Sequence, residues 1–372
     1  MKRRNLLKGL GATTALSGFG AGIFDQAFAS TGPDYTPSAA TRALYQRAMV
    51  IDTLAVGYEW DDVEFKALKD TGYTGIQTSL NNRNFSVALD QLNQWQHRIE
   101  DNPDKMHLVE KTDDFFTAKE KGVCGVMLGF QNGRVVEDDV DNLDILYRLG
   151  TRCIQLTYNH RNLIGNGCLE RVDGGLSDFG VQVVERMNEL GIIVDLSHCG
   201  VKTSYDGIEF SKGAPAAFTH TMCEALVPGH VRAKTDHQLK TMSDAGGMTG
   251  INMIGYFVGP NPGPGGETNI HTYVEHIDHA VNVCGIDHVG MCTDFQVRGI
   301  STWATYENWY EPRTRVYDDR YRLRWPSWIP ELDEPQRFLY VAELLRKKGY
   351  SDDAVEKILG GNWIRYFREV IG

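Results

Sequence analysis

The sequence contains no Cys-x-x-Cys pair, no internal repeat and no low-complexity tract. Its seven cysteines, Cys124, Cys153, Cys168, Cys199, Cys223, Cys284 and Cys292, are scattered, several within apolar runs. That spacing gives no support to a zinc–thiolate cluster, and most of them read as small buried hydrophobes. An odd number also forbids complete disulfide pairing in an exported chain. The formal net charge is −11 and no basic stripe is present, so no nucleic-acid partner is expected. Beyond residue 29 no apolar run approaches ~18 residues, the length that crosses a bilayer, so no transmembrane segment is expected there.

What is present begins with a leader. Lys2-Arg3-Arg4-Asn5-Leu6-Leu7-Lys8 is a basic stretch with paired arginines. A weakly apolar Gly/Ala-rich stretch and Ala27-Phe28-Ala29 follow. In that order they resemble a twin-arginine-type signal peptide over residues 1–29, which implies a periplasmic or otherwise exported protein.

Residues 30–372 read as one domain. A hydrophobic content of 42% and 39 glycines suit a large α/β core with many tight turns. Short apolar runs at 49–54, 75–78, 122–130, 151–157, 192–196, 216–218, 248–253 and 288–292 have the length and turn signals of strands. Helical spacing fills 61–71, 87–100, 113–120, 139–149, 177–190, 236–245 and 270–284. The alternation predicts a (β/α)8 TIM-type barrel. Ser177 and Asp236 stand where N-caps belong, Gly150 and Gly191 where a helix ends on glycine. Residues 255–268, with Asn-Pro-Gly-Pro-Gly-Gly inside, read as neither helix nor strand. Residues 299–330 carry Trp303, Trp309, Trp325, Trp328 and four tyrosines after the last strand. This loop reads either as a lid over a site or as a contact surface for a homodimer.

Two strands end alike, in Ser197-His198 and Thr219-His220. Barrels place their active groups at the carboxyl ends of strands, and imidazoles on neighbouring strands can share one divalent cation. His271, His276 and His279 share one helix, far from any strand end, and read as surface residues.

Several stretches together carry a family resemblance: LYRLGTRCIQLTYN (146–159), GIIVDLSHCG (191–200), AAFTHT (216–221), VPGHVRAKTDHQL (227–239), GGMTGIN (246–252), DHVGMCTDF (287–295) and VEKILGGNWIRYF (355–367). They resemble the membrane (renal-type) dipeptidases, barrels of the metal-dependent amidohydrolase kind. The resemblance implies that His198 and His220 are ligands of one metal and that Arg232 holds the substrate's terminal carboxylate. It further implies that Asp294 contacts metal and catalytic water.

Four positions depart from the family pattern. The first strand reads Asp52-Thr53-Leu54-Ala55-Val56, with Leu54 and Val56 where the family has a histidine and an aspartate ligand. Gln131 replaces the bridging glutamate, and Tyr158 replaces a histidine expected near the substrate. Leucine and valine offer no lone pair, and an amide lacks the charge and second oxygen needed to bridge. One zinc is therefore expected, held by His198 and His220 with Asp294 or Gln131, and the second site is doubtful. His160 follows the fourth strand and is a candidate for substrate contact or proton transfer.

The function expected is hydrolysis of a dipeptide or small amino-acid amide bearing a free carboxylate, by a zinc-activated water with Asp294 as base. The alternatives are an inactive barrel that binds a small carboxylate ligand, or another single-metal reaction such as decarboxylation or lactone hydrolysis.

Overall fold

Nine strands, all parallel, form the sheet: β1 (Ile51–Ala55), β2 (Gly75–Leu80), β3 (Met106–Leu108), β4 (Cys124–Phe130), β5 (Thr151–Gln155), β6 (Ile193–Asp195), β7 (Ala217–Thr221), β8 (Met248–Ile251) and β9 (Val289–Met291). They come from a computed structural model that describes residues 33–57, 59–259 and 268–372. The leader at 1–29 and most of the 255–268 loop lie outside those residues.

Eight strands follow one path, β1-β2-β4-β5-β6-β7-β8-β9, and short β3 pairs with β4 off that path. The path closes between Ala55 and Phe295, with the Asp294 N–H donating to the Leu54 carbonyl at 2.9 Å. The result is a (β/α)8 TIM-type barrel. Strands buried on both faces read as continuous apolar runs, and β4 is buried along its whole length. Residues Tyr35–Gly372 form one compact unit.

The crossover helices match the apolar spacing closely. Ile270–Cys284 lies where the spacing predicts it, and Asp178–Leu190 is capped by Ser177 and ends on Gly191 in the left-handed region. Asp236 is the first helical residue rather than the cap. Thr235 takes that place in a capping box with Gln238, because its hydroxyl accepts from the Gln238 N–H. Residues Gly255–Val258 form a single helical turn inside the segment expected to be irregular, packed under Ser327 and Trp328.

The amino-terminal mouth of the barrel is plugged. Helix Asn362–Val370 brings Trp363, Tyr366 and Phe367 against Ile51, Met127, Cys153, Ile193 and Met248 in one buried cluster. A Cβ on Gly290 would lie 2.1 Å from Trp363 Nε1, so glycine on β9 makes room for the indole. The opposite mouth carries the polar groups.

Candidate active site

His198 follows β6 after Leu196 and Ser197, and His220 lies within β7, so adjacent strands deliver both imidazoles to the carboxyl-terminal mouth. Their ring centroids are 5.0 Å apart, with planes 55° apart. Both rings are buried.

Each ring is held through Nδ1. His198 Nδ1 is 2.7 Å from Asn159 Oδ1, which also accepts from the Tyr321 hydroxyl at 2.6 Å. Because Asn159 offers a carbonyl oxygen, His198 carries its proton on Nδ1 and its lone pair on Nε2. Thr219 Oγ1 donates to Asp195 Oδ2 at 2.9 Å and so accepts from His220 Nδ1 at 2.8 Å. His220 Nε2 is left buried without a hydrogen-bond partner. Burial, followed by the Arg232 guanidinium and other nearby cations, holds both imidazoles far below the usual histidine range. Neutral rings with an available Nε2 are the state that binds a metal.

A cavity of about 120 Å³ opens beside His198. Gln131, Tyr158, His198 and Asp294 line its polar part, and Val56 lies with them. Phe257, Trp303, Trp309 and Tyr317 supply aromatic walls, the last three from the long loop after β9. Asp294 sits just past β9 in the left-handed region (φ 59°), where the end of β9 meets β1 through the Asp294 N–H to Leu54 carbonyl bond. Burial pushes its carboxyl up to about 7; Arg232 opposes that shift, while Asp52 and Asp195 add to it. Tyr158 lies over the His198 ring with centroids 4.1 Å apart.

Two candidates fall elsewhere. His160 is 68% exposed and lies 3.6 Å from Glu170, because Asn159 before it adopts φ 61° and turns the chain away from the mouth. Arg232 is fully buried. Its Nη1 donates to the Ser197 carbonyl and its Nη2 to the His220 carbonyl at 3.1 Å. It clamps the two histidine-bearing segments, while its Nε is buried without a hydrogen-bond partner and its guanidinium carbon lies 5.5 Å from the ring centroid of Phe257 on the cavity wall. His276, expected at the surface, is completely buried between the Cys223 N–H and the Val258 carbonyl. Asn159, Thr219, Tyr321 and Arg313 acquire places at the site. Only the LTYN and THT motifs mark any of them in advance.

The geometry suits one cation and argues against two. Imidazoles sharing a tetrahedral zinc at roughly 2.0–2.1 Å would have centroids roughly 5 Å apart, as observed here. Leu54 is buried and Val56 lines the cavity, so the first-strand ligand positions are apolar. Among the described residues no three His, Cys, Asp or Glu side chains converge as a ligand cluster. Asp294 faces the cavity without completing such a triad.

A parallel barrel with a histidine pair and a carboxyl group at its carboxyl-terminal mouth defines an amidohydrolase-type barrel. The sequence model of "Membrane dipeptidase (Peptidase family M19)" matches residues 64–309, and the chain belongs to that family. The match begins beyond Leu54 and Val56. The chain is 28% identical to "Dipeptidase tcpJ" of Claviceps purpurea (strain 20.1) over 80% of its length and 63% of the relative's. It likewise spans 62% of "Dipeptidase verJ" of Clonostachys rogersoniana, at 28% identity over 73% of this chain. Among solved structures, an amidohydrolase from Pseudomonas aeruginosa is similar at TM-score 0.79 and 31% identity, over 89% of this chain and 98% of that one. A metallo peptidase from Rhodobacter sphaeroides, liganded with a phosphinate mimic of the dipeptide L-Ala-D-Ala, shares the fold at TM-score 0.69 and 17% identity, over 87% and 99%.

Proposed function

We propose that the protein is a metallo-dipeptidase-like hydrolase working with one zinc ion. The observation that carries this reading is the histidine pair, with both Nδ1 atoms engaged and His220 Nε2 buried and unpartnered. His198 and His220 would hold the ion, and the Gln131 amide and Asp294 share the cavity beside it. When bound, the ion supplies Lewis acidity for attack of water on an amide carbonyl. Asp294 takes the proton of the attacking water and passes it to the leaving amine. It is suited to this because it faces the cavity, whereas His160 faces solvent. The aromatic walls exclude bulk water and accept an apolar side chain of the substrate.

The test is zinc content and turnover of a dipeptide panel by purified wild type, His198→Ala and His220→Ala. Expected are one zinc per wild-type chain with hydrolysis, and loss of both in each variant. Metal-free protein with full activity overturns the reading. A second reading, a barrel that binds a small carboxylate ligand without cleaving it, draws support from the apolar Leu54 and Val56. Tight binding with no turnover across the panel would establish that reading. Export directed by residues 1–29 is read by cell fractionation of wild type against Arg3→Lys/Arg4→Lys, which should remain inside the cell.

A further inference from the structure

Both histidine-bearing strand ends meet on one carboxylate. Asp195, the last residue of β6, is buried. Its Oδ1 accepts from the Ser197 N–H at 3.0 Å, from the Ser197 hydroxyl and from the Thr219 N–H at 3.2 Å. Its Oδ2 accepts from the Thr219 hydroxyl at 2.9 Å. Ser197 and Thr219 each stand immediately before a histidine. Ser197 Oγ in turn accepts from the His220 N–H at 3.1 Å, which ties the end of β6 to the end of β7 a second time.

These contacts decide more than alignment. Oδ1 faces two backbone N–H groups, which cannot reverse, so that oxygen stays an acceptor. Oδ2 faces the Thr219 hydroxyl, which has a single proton to give. Once that proton goes to Oδ2, Thr219 Oγ1 offers lone pairs to His220 Nδ1 at 2.8 Å. His220 then carries its proton on Nδ1 and its lone pair on Nε2, the buried atom with no hydrogen-bond partner. The carboxylate itself lies 3.8 Å from Nδ1, beyond a hydrogen bond, so the hydroxyl carries the link. Burial raises the Asp195 carboxyl, but every hydrogen bond it receives favours the ionised form.

We propose that Asp195 is a positioning residue for the metal site: through Thr219 Oγ1 it fixes the His220 tautomer whose Nε2 can bind an ion. This rests on the hydrolase reading for the use of the ion, but not for the tautomer. Asp195→Asn would reverse the relay. The carbonyl oxygen of the amide must take the Oδ1 place, where the two backbone N–H groups point, and its NH2 group then faces Thr219 Oγ1. The Thr219 hydroxyl now accepts there and turns its proton to His220 Nδ1. The other acceptor in reach, Ser197 Oγ, is farther away at 3.3 Å and already receives the His220 N–H. A neutral ring that accepts at Nδ1 carries its proton on Nε2 and has no lone pair left for a cation.

The experiment reads the ring protons directly. Long-range proton–nitrogen correlation spectra of the metal-free protein, labelled with heavy-nitrogen histidine, distinguish the two tautomers. His198→Ala and His220→Ala assign the signals. Wild type should show Nδ1–H at both rings. Asp195→Asn should move the His220 proton to Nε2, while His198, held by Asn159 instead, keeps its own. Thr219→Val breaks the link and should leave His220 in both tautomers, which tests the relay even where the amide variant fails to fold. Competition with a chelator should give zinc affinity about 10- to 100-fold weaker in each variant. Nε2–H at His220 in wild type, or Nδ1–H alone retained in either variant, overturns the proposal. Should wild type hold no zinc and hydrolyse nothing in the dipeptide panel while Asp195→Asn still moves the proton, the hydrolase reading fails and the tautomer assignment stands.

Discussion

Tyr158 lies almost flat on His198, with ring centroids 4.1 Å apart and planes 21° from parallel. The stack fixes the imidazole on one face while Asn159 fixes it through Nδ1. Tyr158→Phe should keep zinc affinity near wild type, because the ring is retained. Tyr158→Ala should weaken it about tenfold, since the ligand gains freedom that binding must remove. Titration against a competing chelator measures both. Equal affinity in all three proteins would remove Tyr158 from the support of His198.

Asn159 and Thr219 set which nitrogen of each histidine carries the proton. Asn159→Gly, which tolerates the left-handed backbone there (φ 61°), and Thr219→Val delete the acceptor. Each should weaken zinc binding about 10- to 100-fold, while Thr219→Ser stays near wild type. The same titration decides it, and zinc added in excess should raise the melting temperature of wild type more than that of either variant.

Arg232→Ala leaves the buried Ser197 and His220 carbonyls without their donors. Each lost partner costs about 1–3 kcal/mol, so the variant should unfold at clearly lower urea concentration whether or not zinc is present. Unchanged stability would show that the clamp is dispensable.

His276 gives the fold a pH dependence of known sign. Its Nδ1 accepts from the Cys223 N–H at 3.1 Å, so its Nε2 donates to the Val258 carbonyl at 3.1 Å. A second proton would face an N–H group. Burial first, and His279 nearby, push it down to about 4, whereas the unfolded chain titrates near 6.5. His279 is itself 2.7 Å from Asp236. Between pH 6.5 and 4 the unfolded state binds more protons, so this group's stability contribution falls as pH falls and levels off below 4. The total is about 3 kcal/mol. Urea unfolding at a series of pH values should show a shallower acid slope in His276→Gln than in wild type; equal slopes would exclude the effect.

Trp363 fills the amino-terminal mouth against the glycine faces of β8 and β9. Trp363→Ala should cost about 3–5 kcal/mol through the cavity it leaves, measured by equilibrium unfolding.

The barrel was legible because its strands are buried on both faces and separated by glycine-bearing turns. Short β3 was not, since Met-His-Leu carries no period. The bounds of the Val201–Phe210 helix were not legible either, although the stretch from Cys199 to Thr219 is long enough for a loop, a helix and the next parallel strand. The histidine pair could be read from its two matching contexts. His160 could not be placed, because the reversal at Asn159 depends on a single backbone angle. His276 looked exposed on helical spacing alone, and only the Gly255–Val258 turn folding over it makes it core. Arg313 sits in a segment whose aromatic content marked a functional loop without saying which side chain faces inward.

The residues that cork the barrel are made long after its last strand. A barrel that closed before that segment was synthesised would have an open base, leaving Ile51, Met127, Cys153, Ile193 and Met248 wet until Trp363 arrived. A premature stop codon between the last strand and that segment would yield a chain with both its histidines and an uncovered apolar base.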